Sequence, residues 1–549
     1  MCSRPTISPS VTPTKIAGLA GRVRRLLAEE KEGRMLSLQV DGCSKKHRHF
    51  SGVNAQYVKD GKTVVRTLAI QELHLQSTAE HLKDTILRIL RKFDISVKNV
   101  ISVTSDNGGN YLLAGKLLHL EDTEVIEDLR DIEPEGDDRL DVELSTDDEP
   151  IQSVRCAAHT LQLAVDEAMK RITDVKPTLD AARQLSRFLR TPSNVRQLEA
   201  AGKSLPLLDV ATRWGSTYDM LKSVFTLRHF FDAVMDMTSK ERDEHALTDE
   251  QWDVVEQLLA DLLPVYTATV KLQARDLTLG QLLAIWTEAT MALKSRRTDL
   301  SEAIILAMDE KAKSVMYKGR GRGERLSSLF EYPAFCASVF ANPRFFSLLT
   351  KQQVTTGKEY LLKLWQRLQA RRGIQEEQPE EDGANDVSSE EDFADEDPFA
   401  AFLAKKNQEK VAATRQPTRS RPSRGRQPAS APLQGREKVR AMLDEYFATT
   451  KPIPTKSDVL QFWEDKKLVW PELYEMAMIV LAIPATQVSV ERLFSALRFI
   501  LRPQRFKLAG DRVDDIVFLH ANADLVREAV KKIVESVNDE ETESEADVV

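Results

Sequence analysis

MLSLQVD, residues 35–41, is the stretch on which the fold turns. Apolar and polar residues alternate along it and it ends on a carboxylate, the pattern of a half-buried strand delivering an acid at its tip. Working outward, Phe50 to Val58 and Thr63 to Leu73 read as two further strands. Between them lies Lys59-Asp60-Gly61-Lys62, and Asp-Gly is the strongest short hairpin signal. Three antiparallel strands in chain order are therefore expected. Thr78 to Phe93 then carries apolar residues at helical spacing, and Asn99 to Ser105 (NVISVTS) is a short β-branched run ending at Asp106. A helical crossover makes this fourth strand parallel to the first, which brings Asp41 and Asp106 together at neighbouring strand ends.

Beyond Asp106 an amphipathic segment runs to Leu120, followed by an acidic loop at 121–149, a short strand at Ile151 to Arg155 and a helix from about Ala157 to Ile172. The expected organisation is an N-terminal segment with one helix (1–34), a first α/β part (35–174) and a largely helical domain (175–372). A disordered acidic-then-basic linker (373–434), a helical C-terminal block (435–536) and an acidic tail (537–549) complete it. No internal repeat is evident.

The formal charge of −8 hides a strong segregation. Glu121 to Glu149 holds 15 acids against 2 arginines, Glu376 to Asp397 holds 12 acids and no base, and Asp539 to Asp547 holds 6 acids; the rest of the chain carries about +23. A basic body suits a phosphate-bearing partner such as DNA, while acidic loops suppress indiscriminate binding or simply keep the chain soluble. No apolar run reaches the roughly 18 residues of a membrane span and no secretory signal is evident, so an intracellular protein without membrane contact is expected. Cys2, Cys43, Cys156 and Cys336 show no framework spacing and read as free thiols of a reducing compartment.

Two carboxylates sharing hard divalent cations are what two-metal phosphoryl transfer needs, because Mg²⁺ prefers oxygen ligands. Taken alone, each aspartate reads more readily as a turn or helix cap. Cys156 and His159, one helical turn apart, look like half a zinc site, but no second Cys/His pair accompanies them. They read as structural, near the site, and no structural zinc is expected.

The segment ATQVSVERLFSALRFILRPQRFKL, residues 485–508, resembles the signature of the hAT-superfamily C-terminal dimerisation region, with Ser489, Glu491, Arg492, Phe494 and Ser495 in the expected order. WPELYEMAMIVLAIP at 470–484 fits the same region, and Asp515, Ile516, Leu519 and Asn522 continue it. LQVDGCS (38–44), VTSDNGGN (103–110), CAAHTLQLAV (156–165), LDVATRWGSTYDML (208–221) and, more weakly, FANPRF (340–345) agree in order and spacing. The resemblance implies a transposase with a ribonuclease-H-like core, interrupted by a large all-α insertion and completed by C-terminal helices. It implies that Asp41, Asp106 and Glu491 hold Mg²⁺ or Mn²⁺, that Arg213 and Trp214 contact DNA with the indole stacked on a flipped base, and that residues 435–536 form a homodimer or higher oligomer. From the residues alone, Trp214 could instead anchor a helical core, Glu491 could be a surface helix acid, and the apolar stripe Met476 to Leu481 with Phe494 and Leu497 could be shared core or an oligomer contact.

The chain also departs from the family pattern. The family begins with a zinc-binding BED finger, for which this chain starts too close to its first strand, and it commonly has Trp where Cys43 stands. Asn342 replaces a usual Asp. Two function classes therefore stay open: a metal-dependent DNA transposase, or a catalytically idle domesticated factor that binds DNA or protein and dimerises. A nuclear location follows from a DNA substrate and from the basic RSRPSRGR stretch at 419–426.

Overall fold

The computed structural model describes residues 13–45, 47–74, 78–106, 109–120, 151–210, 214–233, 235–236, 238–275, 277–316, 325–373, 398–414, 435–502 and 508–546. Most of them are helical, around one mixed five-stranded sheet of order β3-β2-β1-β4-β5. β1 (Leu36–Lys45), β2 (Arg48–Lys59) and β3 (Lys62–Leu73) form an antiparallel meander; β4 (Val100–Ser105) runs parallel to β1, and β5 (Gln152–Arg155) parallel to β4. Asp60 and Gly61 sit between the paired Lys59 and Lys62, both left-handed at φ 49° and 66°. A two-residue hairpin turn demands that conformation, and glycine adopts it without strain. Between β3 and β4, Thr78 caps α2 (Ala79–Arg91), which buries Leu82, Ile86, Ile89 and Leu90.

β1 departs from expectation twice. It runs four residues past Asp41, and both of its faces are buried from Leu36 as far as that residue. Leu36, Leu38 and Val40 join a core with Ala20, Val23 and Leu27 of α1 (Pro13–Lys31) and with Ile86 and Ile89 of α2. The alternate, polar positions are closed by a segment far downstream. Gln56 Nε2 donates to the Ala482 carbonyl at 2.8 Å, Thr104 Oγ1 to Pro484 at 2.9 Å, and Asn54 Nδ2 to Ser489 Oγ at 2.8 Å. Residues 482–487 are themselves buried. Buried loop backbone needs partners, and it finds them in the amides of Ala157 and Leu279, which donate to Ala485 and Ile483 at 2.9 Å each.

The helical part begins with α4 (Ala157–Arg171) and continues from α5 to α14 between Val175 and Arg371, joined in one apolar core with α16 (Gly435–Thr449), α17 (Val459–Lys466) and α18 (Pro471–Val480). Within it are α7 (Trp214–Phe225), α10 (Asp249–Leu272), α11 (Leu279–Arg296) and α12 (Asp299–Ala312). A short hairpin follows α12, β6 (Lys313–Met316) with β7 (Arg325–Ser328), which the sequence pattern did not suggest. One expectation of disorder needs correction. Residues 398–414, assigned to the linker, form α15, whose Phe399 and Leu403 are buried and whose Lys410 ammonium lies 3.8 Å from the Phe346 ring centre. That apolar spacing was masked by acidic neighbours. The tail, too, is helical as far as Ala546, as the end of α21 (Ala523–Ala546). The acidic stretches at 121–149 and 376–397 and the basic stretch at 419–426 lie outside the described residues. Among those described, no helix is long and apolar enough to cross a membrane.

Candidate metal-binding carboxylate site

The β1–β4 ladder ends at the pair Gln39 and Thr104. Asp41 stands two residues further along β1 and Asp106 directly follows β4. Beyond that pair β4 ends at Ser105 while β1 continues along β2 to Lys45, so the two acids stand where the parallel ladder parts. α19 (Val488–Ile500) lies over β1 and β2 and brings Glu491 in its first turn. It can settle there because β2 has glycine at 52: a Cβ at that position would sit 2.5 Å from Val490 Cγ1 and 3.3 Å from Phe494 Cε1. Val490, Leu493 and Leu497 then pack on Phe50 and Ile70. The stripe Met476 to Leu481 with Phe494 and Leu497 is thus engaged within the protomer, Met476 and Ala477 being fully buried.

Electrostatics tie the three acids together. Asp41 is only 8% exposed, and its carboxyl is pushed up to about 7, first by burial and then by the charges of Asp106 and Glu491. The Gly42 amide, donating at 2.8 Å, and the Gln487 side chain work in the opposite direction. Gln487 also donates from Nε2 to Glu491 Oε1 at 3.3 Å, while its own Oε1 is buried and accepts no hydrogen bond. Tyr111 closes the site from α3 (Gly109–Leu120), its hydroxyl donating to Ser51 Oγ at 3.2 Å; burial and the nearby Asp41 and Asp106 hold the phenol protonated. Cys43 sits beside Asp41, its thiol pushed up to about 12 by burial and by that carboxylate.

The donor set of Asp41, Asp106, Glu491 and the unpartnered Gln487 oxygen is all oxygen, which suits a hard cation such as Mg²⁺ or Mn²⁺. Among the described residues no three His, Cys, Asp or Glu side chains already stand as a metal-holding group. The acids therefore fit such an ion by donor type and neighbourhood rather than as a finished cage. Gln487 and Tyr111 were missed by sequence reasoning. Gln487 could have been found, since it precedes Glu491 by four residues and so shares its helix face.

The remaining candidates are placed as follows. Cys156 caps α4, its Sγ accepting from the His159 amide at 3.5 Å, with burial pushing the thiol up to about 12. The pair is a capping contact. Trp214 opens α7 at 2% exposure with its ring edge-on to Tyr266 at 6.3 Å, so in this conformation it offers no face to a base. Arg213 lies outside the described residues. Asp209 accepts from Arg183 at 2.7 Å and from Thr217 at 3.1 Å, an internal brace. Fully buried Asn342 donates to the Gly280 carbonyl at 3.0 Å and accepts from Arg344, a structural role that explains why an amide serves at this position.

Two blocks match known families: residues 442–523 match the hAT family C-terminal dimerisation region, and residues 154–260 the ZBED1 RNase-like helical domain. These two blocks of the chain are thus similar to hAT-family proteins. Among curated proteins it is 21% identical over 382 residues to human "Zinc finger BED domain-containing protein 4", covering 68% of this chain and 29% of that one. It is 25% identical over 313 residues to "Putative transcriptional regulator tpeD" of Talaromyces stipitatus, covering 51% of this chain and 34% of that one. The chain thus spans about a third of the length of the curated relatives it matches. The first block contains Glu491 and ends at Ala523, just past the Asn522 whose amide donates to Thr67 of β3 at 2.9 Å. The region named for dimerisation is therefore also an integral part of the sheet's own core.

Proposed function

We propose that this transposase-derived protein self-associates through residues 435–536 and carries out divalent-cation-dependent phosphoryl transfer on DNA, in the nucleus, from a ribonuclease-H-like core. One observation carries the catalytic part: acids at positions 41, 106 and 491, distant in sequence, lie close enough that the charges of Asp106 and Glu491 add to the burial that pushes the Asp41 carboxyl up to about 7. The sheet order and the match of residues 154–260 support the core assignment. In this reading Asp41, Asp106 and Glu491 hold Mg²⁺ or Mn²⁺ beside Gln487. A bound ion there polarises phosphate oxygens and lowers the pKa of a coordinated water. The chain's own contribution is to bury Asp41 from water, to restrain it through the Gly42 amide and Gln487, and to keep three carboxyl groups near enough to repel one another when ionised. That repulsion favours cation uptake.

Incubation of the full chain with Mn²⁺ or Mg²⁺ and a DNA bearing the flanking inverted repeats tests the proposal. Cleavage or strand transfer that disappears in Asp106→Asn is expected; activity no greater than that of this variant would remove the catalytic assignment. Light scattering at micromolar concentration tests self-association, and a 62.0 kDa monomer alone would count against it. The burial of Trp214 and the name of the fungal relative favour a second reading, a dimeric DNA- or protein-binding factor that does not cut. Sequence-selective retention of DNA without cleavage would support that alternative.

A further inference from the structure

α19 has two unlike faces. Toward the sheet it presents Val490, Leu493 and Leu497, all buried. Toward solvent it presents Arg492, Ser495, Arg498 and Phe499, with Arg502 just beyond the helix end. Spacings of three and four residues along 491, 495, 498 and 499 put these positions on one stripe that starts at the candidate metal ligand, and exposed Arg502 follows just past the helix end. At 1.5 Å rise per residue, Phe499 stands about 12 Å along the axis from Glu491. Phe499 is 67% exposed, and among the described residues no other phenylalanine is an exposed large hydrophobic. Arg492 reaches across to the Gln273 carbonyl at 2.6 Å, whereas Arg498 and Arg502 are engaged in no ion pair among the described residues. Arg498 lies in the last turn, where a cation also complements the helix dipole. That effect accounts for one arginine but not for an exposed phenyl ring between two of them.

We infer that the outer face of α19 is a track for an unpaired nucleic-acid strand leading to the carboxylates, with Arg498 and Arg502 against its phosphates and Phe499 as the platform on which one base stacks. The inference rests on the DNA reading above and supplies a positioning surface for it. Cationic side chains flanking an exposed aromatic ring are what single strands use, since every base has a face to stack and every nucleotide a charge to neutralise. Phe499 thereby takes the stacking role for which Trp214, in its buried setting, offers no surface. A second copy of this chain is the competing occupant, because residues 442–523 are a dimerisation region.

Fluorescence anisotropy with the full chain in EDTA separates the cases, using a blunt duplex and the same duplex with a single-stranded 3′ tail. Phe499→Ala is expected to weaken binding of the tailed probe about tenfold while changing the blunt probe less than about twofold, and Phe499→Trp to retain tail preference. Arg498→Gln and Arg502→Gln are each expected to flatten the salt dependence by about one phosphate contact. If the parent prefers the tailed probe and Phe499→Ala prefers it equally, the track is wrong while DNA binding stands. If Phe499→Ala reduces self-association by light scattering and leaves both probes unaffected, the face belongs to a second copy. A parent that binds neither probe overturns the DNA reading and the track together.

Discussion

Replacing Asp41 by Asn probes the cost of burying this carboxyl beside two others. The Asp41 carboxyl titrates at about 7 in the folded protein against 3.8 ordinarily. Between those values the folded state keeps a proton that the unfolded chain has lost, so stability falls as pH rises through this window. Each pH unit of the gap corresponds to about 1.4 kcal/mol, which puts the ceiling of the loss near 4 kcal/mol above pH 7. Asparagine keeps the shape and an acceptor for the Gly42 amide but does not ionise. Urea unfolding of parent and Asp41→Asn at pH 4, 6 and 8 is expected to show the variant gaining on the parent with pH, by up to that amount. A cation at about a hundred times its dissociation constant is expected to return about 2.7 kcal/mol to the parent at pH 8, with a much smaller effect on the variant. Parallel stability curves from pH 4 to 8 would refute the burial and repulsion argued for Asp41; parallel curves with and without Mn²⁺ would refute the cation site.

The mirror case is Glu30, whose side chain accepts from Arg66, Lys59 and Tyr57 and is held down to about 2 although burial opposes this. Its contribution is complete above the ordinary value of 4.5 and lost as pH falls toward 2; Glu30→Gln is expected to cost about 3 kcal/mol at pH 7 and little near pH 2 by denaturant titration. Gly52→Ala drives a methyl into Val490, so a cost of about 1–3 kcal/mol and weaker Mn²⁺ uptake are expected, with Val490→Ala restoring both; failure of that rescue would show that α19 is not seated as described. Trp463, fully buried and donating from its ring nitrogen to the Ala341 carbonyl at 2.8 Å, is expected to cost about 3–5 kcal/mol as Ala, read as a lowered melting temperature.

Much of the sheet was legible in the chain. Leu36, Leu38 and Val40 alternate with polar residues, Asp60-Gly61 turns β2 into β3, and a capped helix before β4 leaves a parallel strand as the natural outcome. Those are local signals, because strand alternation and turn geometry are settled by neighbours two to four residues away. The polar face of β1 misled by the same logic: alternation suggests one wet face, yet Gln39 and Asp41 are covered. The linker misled through composition, since the acids before Pro398 conceal the pair Phe399 and Leu403 that docks α15. Sequence by itself thus determined the first five strands, the crossover helix between the third and fourth, and the placing of Asp41 and Asp106 near the end of one parallel ladder. Only the tertiary structure decided what covers that end. The 482–491 segment reaches the sheet because buried polar groups on β2 and β4 require hydrogen-bond partners and Gly52 leaves room for a helix. Those conditions become visible only once residues hundreds of positions apart are in contact.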